Sequence, residues 1–178
     1  MSRTTVKIVK TDGQFNDIAE LGNSWGSAAF VWSALSKKYL GDEMAWMGGN
    51  GKAVWDLAGD SRLSQAERIV LVSTFDHAII EHAHFADAAN AFREFSHDHS
   101  KADHVNHLPT IARLLDERKD TPCIGMCFHQ TSVSEDPWHG GYDEEAEEYK
   151  PYDLQTETRH FFVFAEYGDK PEAQAVAP

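Results

Sequence analysis

The stretch SWGSAAFVWSALSKKYLG, residues 24–41, does more than any other part of the chain to decide the fold. Its apolar residues recur every three or four positions, which is the spacing of one helix face. Ser24 is a typical helix N-cap, and Gly41 is a typical helix terminator. The apolar stripe consists of Trp25, Ala28, Ala29, Trp32, Leu35 and Tyr39. The sequence therefore predicts an amphipathic helix that packs one face against a core.

Four further helices are predicted between residues 51 and 118. A short helix over about 51–58 places its apolar residues together, and Ser64 with Glu67 three positions later forms a capping box that opens the next helix through Val72. Two more helices follow from apolar residues at helical spacing. Their stripes are Phe85, Ala88, Ala89, Phe92 and Phe95, and then Leu108, Ile111, Leu114 and Leu115.

Strands are predicted towards both ends of the chain. Residues 5–9 are β-branched and are followed by the turn signal Asp12-Gly13, while the apolar runs 123–128 and 160–165 are typical of buried strands. Residues 77–82 fit either a strand or a helical continuation, because six residues do not separate the two periods. We favour a strand there.

This order of elements predicts an α+β fold. We expect a single compact domain over residues 1–169, with a small sheet of about four strands covered on one face by about five helices clustered mid-chain. The tail 170–178 is rich in proline, alanine and polar residues, and we expect it to be disordered.

Composition narrows the classes of function. The chain has 178 residues, 42% hydrophobic, and a net charge of −13. Direct nucleic-acid binding requires clustered Lys and Arg side chains that neutralise phosphates. The only such clusters are pairs such as Lys37-Lys38 and Arg118-Lys119, so we do not expect direct nucleic-acid binding. No apolar run is long enough for a membrane span, and no signal peptide is evident, so we expect a cytoplasmic protein that does not bind membranes.

Cys123 and Cys127 are expected to be small core residues.

Most of the negative charge lies in one segment. Residues 135–169 contain 11 acidic residues and only two basic ones. Proline and glycine interrupt the segment, which predicts an exposed loop. One interpretation is a solvated loop that aids solubility, and the other is a surface that binds a basic partner. Trp138 within this loop is either a staple that pins the loop to the domain or an exposed anchor for a partner.

The first functional hypothesis is therefore an acidic protein-interaction domain. Its partner would be a basic protein surface, and an inhibitor that occupies a nucleic-acid-binding surface is one form of this, by analogy with small acidic phage and mobile-element proteins. The analogy is one of class and rests on charge alone. The candidate partner-binding residues are Glu135, Asp136, Trp138, Asp143, Glu144, Glu145, Glu147 and Glu148.

The second hypothesis is a metal-dependent hydrolase. Seven of the ten histidines lie within residues 77–107, interspersed with carboxylates, and this is the ligand set of divalent transition metals such as zinc. A bound metal would activate water, with Glu81 or Asp103 as the base. The alternative is a polar interhelical loop that uses exposed, neutral histidines. The candidate ligands are His97, His99, Asp103, His104 and His107.

Overall fold

The centre of the molecule is a five-stranded sheet. The computed structural model describes residues 3–22, 27–47, 51–100, 104–130 and 136–168. In chain order the strands are β1 (Arg3–Val9), β2 (Phe15–Gly22), β3 (Ala78–Glu81), β4 (Gly125–Gln130), β5 (His139–Asp143), β6 (Glu148–Pro151) and β7 (Phe161–Phe162). The sheet order is β2-β1-β4-β3-β7, and β5 pairs with β6 in a separate two-stranded sheet. All pairs are antiparallel except β3 with β7.

Helices pack on one face of the five-stranded sheet. They are α1 (Ala28–Leu35), α2 (Gly51–Asp56), α3 (Gln65–Val72), α4 (Phe85–Asp98), α5 (Leu108–Arg118) and α6 (Val163–Tyr167). Because side chains alternate along a strand, Val6 and Ile8 of β1 face these helices, while Lys7 and Val9 face the opposite side. The predicted α+β fold with helices on one face is confirmed.

The first predicted helix forms, but it begins at Ala28 with Ser27 as its N-cap, three residues later than the predicted cap Ser24. Helix α1 continues as a π-helical turn, Ser36–Leu40, and ends at Gly41. Gly41 has φ of 74°, a left-handed conformation that glycine adopts without strain. Ser24 and the stripe residue Trp25 lie outside the described residues, as does the predicted tail 170–178.

The capping box at the start of α3 is confirmed in both directions. The Glu67 backbone N–H donates to Ser64 Oγ at 3.1 Å, and the Ser64 backbone N–H donates to Glu67 Oε2 at 3.0 Å. The strand favoured for residues 77–82 is also confirmed, as β3. Cys127 is buried as predicted, and burial raises the pKa of its thiol well above the usual value.

The strand predicted over residues 160–165 is mostly wrong. Only Phe161–Phe162 is extended, and the chain then turns into α6. The reason is the carboxylate of Glu81, which accepts backbone hydrogen bonds from Phe164 at 3.0 Å and from Ala165 at 2.7 Å. These bonds satisfy N–H groups in the first turn of a helix, which a helix cannot satisfy by itself.

No helix in the described part of the chain is both long and apolar enough to cross a bilayer.

Candidate protein-interaction hairpin

The acidic segment contains regular structure where the sequence predicted a loop. Strands β5 and β6 form a hairpin, residues 139–151, in which Tyr142 pairs with Tyr149 and Asp143 with Glu148. Asp143 builds the turn, because its Oδ1 accepts the backbone N–H groups of Glu145 at 3.1 Å and of Ala146 at 3.2 Å. The expectation of an irregular loop over these residues is therefore wrong, although the turn itself is exposed.

Trp138 fixes the base of the hairpin. Its side chain is 6% exposed, and its indole Nε1 donates to the carbonyl of Phe128 in β4 at 2.8 Å. The ring packs against Phe15 and Tyr152, with centroid distances of 4.9 and 5.4 Å. Of the two alternatives for Trp138, the structure shows the staple. The expectation that Trp138 is an exposed contact for a partner is wrong. Its ring is buried against the face of the main sheet that the helices do not cover.

Asp136 also makes contacts within the domain. Its Oδ1 accepts the backbone N–H of Trp138 at 2.9 Å, and its Oδ2 lies 3.3 Å from the Lys7 ammonium. Burial disfavours the charged form of Lys7, but the hydrogen bond to Asp17 and the charges of Asp17 and Asp136 outweigh it and raise the pKa of Lys7. Asp136 therefore helps to hold the hairpin on the sheet. Glu135, the neighbouring candidate, lies outside the described residues.

Four glutamates remain at the end of the hairpin. We call them the acidic tip: Glu144, Glu145, Glu147 and Glu148. All four are exposed, and none has an ion-pair partner among the described residues. A four-residue turn brings the Cα atoms at its ends within about 7 Å, and this separation of the backbone is shorter than the Debye length, about 10 Å at 0.1 M salt. Their potentials therefore add.

Asp143 differs from the acidic tip although the sequence grouped them together. Its carboxylate lies 3.5 Å from the Lys150 ammonium and accepts the turn hydrogen bonds. The backbone hydrogen bonds from Ala146 and Glu145 lower the pKa of Asp143. Its main role is thus to shape the turn that presents the glutamates.

The hairpin has two chemically different faces. Successive strand residues point to opposite sides, so Tyr142 and Tyr149 share one face while Asp143 and Glu148 share the other. The tyrosine rings meet at a centroid distance of 5.1 Å and an angle of 71°, and the His139 ring lies 4.0 Å from that of Tyr149. We call His139, Tyr142 and Tyr149 the aromatic face.

The described candidate metal ligands do not share a common set of neighbours. His97 is exposed on the last turn of α4, His99 Nε2 lies 3.4 Å from a carboxylate oxygen of Glu67, and His104 Nε2 lies 3.0 Å from Ser33 Oγ. His107 Nε2 donates to the carbonyl of Gly22 at 2.6 Å.

Within the described ranges, no group of three or more His, Cys, Asp or Glu side chains is placed to hold a metal. Asp103 lies outside those ranges, so the metal site stays a prediction. Glu81, one of the two candidate bases, is engaged with the backbone at the start of α6.

Sequence reasoning missed one buried polar cluster, centred on Glu67. Beyond its cap contact with Ser64, this carboxylate accepts hydrogen bonds from the Tyr39 hydroxyl at 2.7 Å and the Lys38 ammonium at 2.8 Å. Burial favours the neutral acid, but hydrogen bonds from His99, Lys38, Ser64 and Tyr39 outweigh it and hold the pKa of Glu67 far below its usual range. The capping box was the available signal, whereas the contacts to Tyr39 and His99 arise only in the folded chain.

Replacing Glu67 by glutamine should lower stability at pH 7 by about 2 kcal/mol, the value of hydrogen bonds to a charged acceptor. Because the folded-state pKa lies below the unfolded value of 4.5, the carboxylate stabilises the wild type above that pH. The wild type loses this contribution to its free energy of unfolding as the pH falls below 4.5. E67Q has no carboxylate at this position, so its free energy of unfolding should decline less over the same pH range. Urea unfolding at several pH values measures it. The exposed Glu94→Gln serves as control, and parallel pH profiles for E67Q and wild type would contradict the expectation.

Comparisons with known proteins identify no relative. No protein-family model matches the chain, and neither the curated proteins nor the solved structures searched contain a significant match.

Proposed function

We propose that the protein is an acidic protein-interaction domain that presents the 139–151 hairpin to a basic surface of a partner protein. The observation that carries the proposal is the acidic tip, whose four carboxylates are exposed and have no ion-pair partner within the described residues. Carboxylates placed in this way attract a positively charged surface and speed its association.

The hairpin is pre-organised for such contact. Trp138 and Tyr152 bury its base, and Asp143 shapes its turn, so the backbone beneath the acidic tip is held before any partner arrives. Pre-organisation reduces the conformational entropy that binding would otherwise cost.

The proposed partner surface is one that normally binds nucleic acid. Such surfaces neutralise phosphates with clustered Lys and Arg. The carboxylates of the acidic tip offer these side chains negative charge, as the phosphates do. Occupation of this surface would exclude the nucleic acid. The protein would then act as an inhibitor by competition.

A displacement experiment tests the proposal. Protamine, a basic protein that binds duplex DNA, is mixed with a fluorescent duplex, and the full chain is titrated into the complex. We expect the duplex to be released, and we expect direct binding of the chain to protamine to weaken as the salt concentration rises, because the contacts are ionic. Failure to release the duplex at low salt, or binding to protamine that does not weaken with salt, would contradict the proposal.

A further inference from the structure

The aromatic face of the hairpin is exposed although its rings are large. Tyr142 is 52% exposed and Tyr149 is 42% exposed, and neither belongs to the two clusters of buried residues in the described chain. Exposed aromatic residues that lie next to one another, with polar surroundings, are typical of contact surfaces. The turn with Glu144, Glu145 and Glu147 adjoins this face, whereas Glu148 lies on the opposite one. An anionic or purely apolar occupant is therefore disfavoured, and a cationic one is favoured.

The geometry suits a planar cation better than a compact one. A guanidinium can stack on the face of a tyrosine ring and at the same time donate two parallel hydrogen bonds to a carboxylate. An ammonium is a strongly hydrated point charge and gains less from the ring. Near the base of the hairpin, Arg159 already makes such a ring contact, since its guanidinium carbon lies 5.2 Å from the centroid of the Tyr152 ring. Its Nε and Nη2 also lie 3.2 and 3.1 Å from Glu157 Oε2.

We infer that the hairpin selects arginine over lysine in its basic partner, by stacking guanidinium groups on Tyr142 and Tyr149 while the acidic tip binds their charge. The inference rests on the proposed function and adds the chemistry of the residue that is recognised. His139 supports the face by packing on Tyr149.

The test compares two peptides of equal length and charge, nine arginines and nine lysines, binding to the full chain at 0.1 M salt. Each exposed cation–π contact contributes a factor of about 2 to 5 in affinity, so two contacts predict a preference for arginine of about tenfold. In the variant Tyr142→Thr/Tyr149→Thr, the Kd for the arginine peptide should rise about tenfold, because both ring contacts are lost while the hydrogen bonds to the carboxylates remain. The Kd for the lysine peptide should change less than about twofold, because threonine keeps the strand propensity and all carboxylates remain.

The outcomes separate the two proposals. Equal binding of the two peptides by the wild type, or an affinity for the arginine peptide that is unchanged in the double variant, overturns the selection of arginine by the two rings and leaves the hairpin hypothesis standing. Binding of neither peptide overturns the proposed function itself. If the double variant does not fold, Tyr142→Thr alone is used, and it should retain a preference of about threefold. An unchanged tenfold preference in that variant overturns the inference.

Discussion

Reversal of the acidic tip to lysine, E144K/E145K/E147K/E148K, is expected to raise the Kd for a basic partner by at least about 100-fold. Each reversal replaces an attraction by a like-charge contact, and such contacts across an interface cost several kcal/mol. The melting temperature should change little, because none of the four side chains has an ion-pair partner among the described residues. Binding to protamine at 0.05 and 0.3 M salt, together with a melting curve, measures both effects.

A matched variant separates the hairpin from net charge. It reverses four other exposed acids that have no ion-pair partner within the described residues: Glu94, Asp98, Asp120 and Glu166. The change in net charge is identical, but the charges are distributed over two helices and a turn. We expect this variant to lose less than about tenfold in affinity, since distant exposed charges are screened. Equal losses in the two variants would assign the binding to overall charge and not to the hairpin.

Substitution of Trp138 by alanine is expected to destabilise the domain by about 3 to 5 kcal/mol, the usual cost of truncating a buried Trp. The change removes the ring contacts with Phe15 and Tyr152, and it leaves the Phe128 carbonyl without its indole donor. Urea unfolding measures the loss. Because the ring joins the hairpin to the main sheet, binding of protamine should weaken as well.

Trp55→Ala is the control for this substitution. Trp55 is 50% exposed, so its truncation should cost less than about 1 kcal/mol. Trp138→Phe gives an intermediate case, because it keeps a ring but loses the donor to Phe128. A loss for Trp138→Ala no larger than that for Trp55→Ala would show that the staple does not hold the hairpin.

Local patterns in the sequence predicted most of the helices. The apolar spacing of α4 and α5 depends only on residues three or four positions apart, and the Ser64–Glu67 capping box depends on residues three apart. Strand β2 was missed because it is an edge strand that pairs on one side only, and its polar residues break the alternation.

Contacts between distant residues account for the errors. Helix α6 forms because Glu81, more than 80 residues away, accepts its first backbone N–H groups. Trp138 was left open between two roles, and its contact with Phe128 of β4 decides the matter. Histidines that are close in sequence face different elements, as His99 faces Glu67 and His104 faces Ser33. No short-range pattern contains this information.

Amide hydrogen exchange of the full chain, with and without the nine-arginine peptide, tests the central claim most directly. Exchange slows where a partner covers the backbone or stabilises its hydrogen bonds. The hairpin account predicts that added protection is concentrated in residues 139–151 and disappears in the variant with the reversed acidic tip. Protection of another surface, with residues 139–151 unchanged, would contradict it.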